Sequence, residues 1–282
     1  MSIQIIADSG CDITQEEAKK LGIRVLPIKT TFDETEYLDG VDLSHTEFFE
    51  KLIESDVFPK TSQISPFDYE QVYEEVKANG DVAIVISLSS KLSGCFQSAN
   101  IAAADYEGII YPFDSLSVTI GQRILIEHAV ALRDKGCTLE EILASLEEKK
   151  HHVKLIALLD TLEYLRKGGR ISAAAAAAGS LLSIKPVIAI EEGEVAVLGK
   201  ARGSKAGNNM LRQMIDKEGP IDFSMPVALA YSGLNNDVLM KYKKDHHDLY
   251  DQAVPDIPDY SIGCAIGTHI GPGAIALAFF QS

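Results

Sequence analysis

The chain has 282 residues, 46% of them hydrophobic, enough for one large domain or two ordinary ones with a full core. Twenty-six Lys and Arg against 41 Asp and Glu give a formal charge of -15, which disfavours general attraction to nucleic acid or an anionic membrane. The start Met-Ser-Ile-Gln-Ile-Ile-Ala-Asp has no basic segment before a long apolar one, and no run reaches the roughly 18 apolar residues of a membrane span, so the expectation is a cytoplasmic protein without stable membrane insertion.

Ile3 to Ala7 reads as a strand ending in Asp-Ser-Gly-Cys-Asp, after which Thr14 with Glu17 forms a capping box for a helix that Gly22 closes. Ile23 to Ile28 reads as a second strand. Ser44 with Glu47 caps a second helix, and Ser65-Pro66 opens a third that ends at Asn79-Gly80. Asp81 to Leu88, "DVAIVISL", has the unbroken apolar character of a central parallel strand, and "SSKLSG" leads from it into the helical "CFQSANIAAA". A strand at Gly108 to Phe113 and helices at Leu116 to Lys135 and Thr138 to about His151 complete a regular α/β half.

From Val153 to Leu159 another strand is expected, and then the texture changes. "EYLRKGGRIS" is followed by six alanines at 173 to 178, and Pro186 to Ile190 pairs with Val195 to Lys200 across Glu191 to Glu194 as a β-hairpin. A helix from about Gly203 to Lys217, a strand at Pro226 to Tyr231, a helix from Asn235 to Gln252 and glycine-rich terminal strands finish the chain. The expected fold is α/β with two domains: residues 1–155 as a Rossmann-like parallel sheet flanked by helices, and 156–282 as an α/β domain with a mixed or antiparallel sheet.

Four loops at expected strand ends are rich in small hydroxyl residues: Asp8-Ser9, Thr61-Ser62-Gln63, Ser89-Ser90 with Ser93-Gly94, and Asp114-Ser115. Hydroxyls and unpaired amides at a helix start can hold an anion, and they can equally be ordinary caps. His269, among the glycines of "GTHIGPGA", is balanced between a turn histidine and a donor to a carboxylate or phosphate oxygen. No histidine pair has zinc-site spacing, so no metal is expected, and the four cysteines at 11, 95, 137 and 264 form no CxxC pair and read as reduced thiols. GxSxG, GxxxxGK[ST] and a strand-linked GxGxxG are all missing, which weakens hydrolase, NTPase and dinucleotide readings. A Ser93, His269 and Asp114 triad can be assembled on paper, giving a serine-dependent acyl hydrolase as the alternative. Charge is uneven. Arg166, Lys167, Arg170, Lys185, Lys200, Arg202, Lys205 and Arg212 make the segment from 164 to 215 net positive within an acidic chain, as either a solvated surface or a docking patch.

Taken together, "DSGCD" at 8–12, "TSQISP" at 61–66, "SSKLSGCFQSA" at 89–99, "DS" at 114, "LEYLRKGGRIS" at 162–172, "GSLLSIKP" at 179–186 and "GTHIGPGA" at 267–274 resemble the DegV family of bacterial fatty-acid-binding proteins, in the family's order and over nearly the whole length. The resemblance implies a two-domain α/β carrier, without a cofactor and not itself a catalyst, that buries one long-chain fatty acid. Its carboxylate would be offered to a separate fatty-acid kinase, whose acyl phosphate feeds phospholipid synthesis. Carried over by motif, Thr61, Ser93 and His269 match carboxylate-binding positions, with Ser62 and the Gly94 amide as neighbours, while Arg170 and Arg202 match positions implicated in docking the kinase. Two departures stand out. Cys95 occupies a place where the family commonly has a small hydroxyl residue, as either an activated helix-start thiol or a buried inert one. The alanine run replaces a more mixed and often basic stretch.

Overall fold

The computed structural model describes residues 2–173, 183–250 and 257–282. The alanines at 174–178 and the first residues of "GSLLSIKP", through Leu182, lie outside them. In the first half, strands β1 (Ile3–Asp8), β2 (Arg24–Leu26), β3 (Lys29–Phe32), β4 (Thr35–Leu38), β5 (Lys60–Ser62), β6 (Val82–Ser87) and β7 (Ile110–Asp114) form two sheets. One is parallel, in the order β2-β1-β6-β7, and the other is a small antiparallel sheet, β4-β3-β5. Every residue of β6 is buried, which accounts for its continuous apolar character. The capping boxes expected at Thr14/Glu17 and Ser44/Glu47 are formed, as is Ser65/Asp68 before Pro66.

The second half adds β8 (Val153–Leu158), β9 (Ile184–Glu191), β10 (Glu194–Arg202), β11 (Ala228–Tyr231), β12 (Asp259–Ser261) and β13 (Ile275–Phe280) in a mixed six-stranded sheet, order β10-β9-β8-β13-β11-β12. Only the β11–β12 pair is parallel. The fold is therefore α/β, with a parallel sheet flanked by helices and a mixed sheet in the C-terminal part. A cut between residues 155 and 156 falls inside β8, since the sheet it belongs to begins at Val153.

The two halves share a core. The buried helix Thr119–Asp134 packs on β1 and β6 from one side and on β8, β11 and β13 from the other, so Ile5 and Ile84 belong to one apolar cluster with Ala276, Ala278 and Phe280. On its far face the mixed sheet presents Ile156, Leu158, Leu277 and Phe279 to Leu211 and Ile215 of the helix Ser204–Lys217 and to Leu239 of the helix Asp237–Asp245. Strand alternation then leaves Ala157 and Ala276 looking the other way, towards the first half.

Several expectations are revised. The β3–β5 sheet carries no sequence signal strong enough to place it. The helix expected from Leu116 starts at Thr119, because the Asp114 carboxylate accepts the Leu116 amide and the Ser115 hydroxyl the Ser117 amide, holding the preceding residues in turns. The helix expected from Asn235 is two pieces, Asp237–Asp245 and His247–Tyr250, interrupted where His246 leaves helical geometry; residues 251 and 252 lie outside the described residues. The glycine-rich segment before β13 is a helix, Cys264–Ile270, and it carries His269. Among the described residues no helix is long and apolar enough to cross a membrane, and no group of acidic, Cys or His side chains is arranged to hold a metal ion.

Candidate functional site

Two of the four hydroxyl-rich loops meet in a cavity and two do not. The Asp8 carboxylate is buried and accepts the Gly10 and Leu88 amides; Ser9 donates to Asp39 and accepts the Ile28 amide. Asp114 accepts the Ser90 and Leu116 amides. These groups hold loops closed. Thr61, Ser62 and Gln63, on and after β5, and Ser93 and Gly94, before the helix Cys95–Ala103, instead line a cavity of about 380 Å³ between the two halves.

The helix Cys264–Ile270 closes the polar end of that cavity. Its first amides are satisfied by distant carboxylates: Asp39 accepts from Cys264 N (2.9 Å) and Ala265 N (3.2 Å), and Asp12 accepts from Gly263 N (2.8 Å). Asp12 also accepts the Thr119 hydroxyl, and burial pushes its carboxyl pKa up to about 8. One helix face rests on Phe48 and Phe49 through Gly267, where an added Cβ would stand 2.6 Å from the Phe48 ring. The other face turns Ala265, Ile266, His269 and Ile270 into the cavity.

His269 Nε2 and Thr61 Oγ1 share a 2.9 Å hydrogen bond, while Nδ1 is buried and has no partner among the described residues. Gly168 lies directly against the ring, so that a Cβ there would meet Nδ1 at 2.1 Å. Two residues on, Arg170 donates to Leu92 O at 3.1 Å and to Gly168 O at 2.5 Å. Gln63 packs on Gly94 and donates to Ser98 Oγ at 2.8 Å. Contacts thus run continuously from Gln63 and Gly94 through Leu92, Arg170, Gly168 and His269 to Thr61. Among the described residues Arg170 is the only ionised side chain in the cavity lining, and most of the remaining wall is aliphatic.

Burial, reinforced by the Arg170 charge, lowers the His269 pKa to about 3, so the imidazole is neutral near pH 7. Its folded pKa lies below the ordinary 6.5, so the folded state resists the proton that the unfolded chain accepts as pH falls. His269→Gln is therefore expected to gain stability relative to wild type below pH about 6.5, by up to about 1.4 kcal/mol per pH unit. Urea denaturation of both proteins at pH about 7 and about 5 measures this; a constant difference between them refutes the assignment.

The Ser93, His269 and Asp114 constellation is not assembled. Ser93 Oγ donates to Cys95 Sγ and accepts from Cys95 N, His269 turns its second nitrogen to Gly168, and Asp114 is engaged by backbone outside the cavity. Burial pushes the Cys95 thiol up to about 12, so it is no activated thiolate. Of the two arginines singled out, Arg170 is part of the cavity wall, whereas Arg202 is exposed at the end of β10. Sequence reasoning placed Gln63 in a candidate loop without a role of its own, and missed Gly168 and the supporting Asp12 and Asp39. Gln63 lies in "TSQISP", Gly168 in "LEYLRKGGRIS" and Asp12 in "DSGCD", but only the tertiary contacts give them work.

Fold and site together define a three-sheet α/β protein with an interior cavity that is aliphatic over most of its wall and polar at one end. Residues 2–282 match the family model described as "Uncharacterised protein, DegV family", and the chain belongs to the DegV family. A DegV domain-containing protein of Caldanaerobacter subterraneus is 33% identical over 284 residues, covering 98% of each chain. Among solved structures, a fatty-acid-binding DegV family protein from Thermus thermophilus superimposes with a TM-score of 0.89 at 31% identity over 100% of both chains. A stearic-acid-binding protein from Eubacterium ventriosum gives 0.88 at 27% identity, covering 100% of this chain and 98% of that one.

Proposed function

We propose that this protein is a cytoplasmic carrier that buries one long-chain fatty acid, with the acyl tail in the cavity and the carboxylate at Thr61, Ser62, Ser93, Gly94 and His269. The observation that carries the reading is the division of the cavity into an aliphatic body and one connected polar end, with Arg170 as the one cation among the described residues of its lining. The solved relatives described as binding fatty acids support it. Burying methylenes contributes roughly 0.8 kcal/mol each, so a tail of about 16 carbons supplies on the order of 10 kcal/mol before the costs of association. The headgroup contacts then need only orient. A neutral imidazole and hydroxyls do so without a bidentate arginine grip, leaving a carboxylate oxygen free to attack a phosphoryl donor.

On this reading the carboxylate is presented to a separate fatty-acid kinase, whose acyl phosphate product feeds phospholipid synthesis, and the exposed Arg202 with Arg170 helps dock that partner. Organic extraction of protein purified from cells, followed by mass spectrometry, is expected to release a long-chain fatty acid. Protein that is empty and shows no thermal shift with added fatty acid would refute the carrier. With a fatty-acid kinase and ATP, Arg202→Ala is expected to lower acyl phosphate formation while retaining lipid; unchanged turnover would remove Arg202 from the docking surface.

A further inference from the structure

The far end of the cavity has its own construction. Leu155, Ala157 and Leu159 point into the cavity from β8 and the residue after it, and Leu159 packs with Leu165 and Ile270 beside the polar end. Four residues of strand separate Leu159 from Leu155, roughly 13 Å. Leu155 therefore marks the end remote from His269, where it lies against Gly121 of the helix Thr119–Asp134.

Beyond Leu155 lies a second cavity of about 300 Å³, and the two share Leu155, Ala189 and Ile190 as wall. The partition exists because β8 and β9 part company. They pair only between Ile156–Leu158 and Val187–Ala189, after which β9 continues with β10 to a hairpin turn that is drawn to the first half, where Gly193 O accepts the Ser89 hydroxyl at 2.7 Å. Between Leu155 and Ile190 the ladder is replaced by side chains. The second cavity is polar, with Lys150, Lys154, Glu191, Glu192 and Glu218 on its walls and a 2.8 Å ion pair between Lys154 and Glu218.

Resting on the fatty-acid reading above, we propose that Leu155 and Ile190 form a septum that sets the longest acyl chain the protein accepts. Up to the septum each added methylene leaves water for an aliphatic wall and gains affinity. Past it, a methylene would have to displace packed side chains and enter a chamber whose walls carry Lys150, Lys154, Glu191, Glu192 and Glu218, where it would desolvate charged groups. Sterics and solvation thus stop the chain at one place.

The test is displacement of a fluorescent fatty acid from delipidated protein by the saturated series from dodecanoic to docosanoic acid. In wild type, affinity is expected to rise with length and then fall. Leu155→Ala and Ile190→Ala, which enlarge the end from its two sides, should each move the maximum to acids about two to three carbons longer, in proportion to the side-chain volume removed. Either variant, folded by circular dichroism and thermal melt yet keeping the wild-type length profile, overturns the septum. Ile190 is only partly buried, so Ile190→Ala decides the matter should Leu155→Ala fail to fold. A wild-type protein that binds no acid in the series refutes the carrier itself, whereas binding with an unmoved maximum refutes only the septum.

Discussion

Ala157→Phe is expected to weaken long-chain fatty acid binding by about 100-fold while leaving the protein folded. Ala157 sits in the middle strands of the mixed sheet, paired with Ala276 on one side and Ile188 on the other, yet it is not fully buried, because its face opens onto the cavity. A phenyl ring there grows into space rather than into packed neighbours, and an aromatic residue suits a strand. The ring would exclude some three or four methylenes of the tail, each worth roughly 0.8 kcal/mol, or about 3 kcal/mol in all. At about 1.4 kcal/mol per tenfold change this gives the predicted factor. The loss should grow with chain length, because short acids end before the obstruction. Titration of the same acid series distinguishes this from general damage: an equal loss at every length, or none, would show that Ala157 is not in the tail's path.

Much of the frame was legible in the sequence because it is local. The capping boxes at Thr14 and Ser44, the apolar run of β6 and the turn between Glu191 and Glu194 all declare themselves within a few residues. The β3–β4 hairpin is quieter: its turn residue Asp33 takes a φ of 53° without a glycine, and the strands are partly polar. With it β5, which carries Thr61 and pairs with β3, is hidden as well. Least legible was the helix that holds His269. Seven residues containing Gly267 and bordered by Gly263 and Gly271 have poor intrinsic helicity, and they read as loop or strand. The groups that stabilise that helix lie far away in sequence, with Asp39 and Asp12 separated by 225 and 251 residues from the amides they accept. A motif match put His269 in the site, while the means of holding it there required the folded chain.

Those carboxylates make Asp39→Ala the substitution with the largest expected cost to stability. Asp39 is buried and accepts three hydrogen bonds, from Ser9 Oγ, Cys264 N and Ala265 N. Truncation leaves these donors unpaired in the interior, and the expected loss is about 3 kcal/mol, lowering Tm by roughly 5–10 °C. Asp39→Asn keeps the shape and one acceptor oxygen and should lose about half as much. Calorimetry of the three proteins tests this, and a truncated variant melting with wild type would deny the carboxylate its role. The helix it anchors carries His269 at its last turn, so Asp39→Ala should also weaken fatty acids, but by the same factor whatever their length. That pattern separates a displaced headgroup site from the length-graded loss at Ala157, and so assigns the headgroup site and the path of the tail independently.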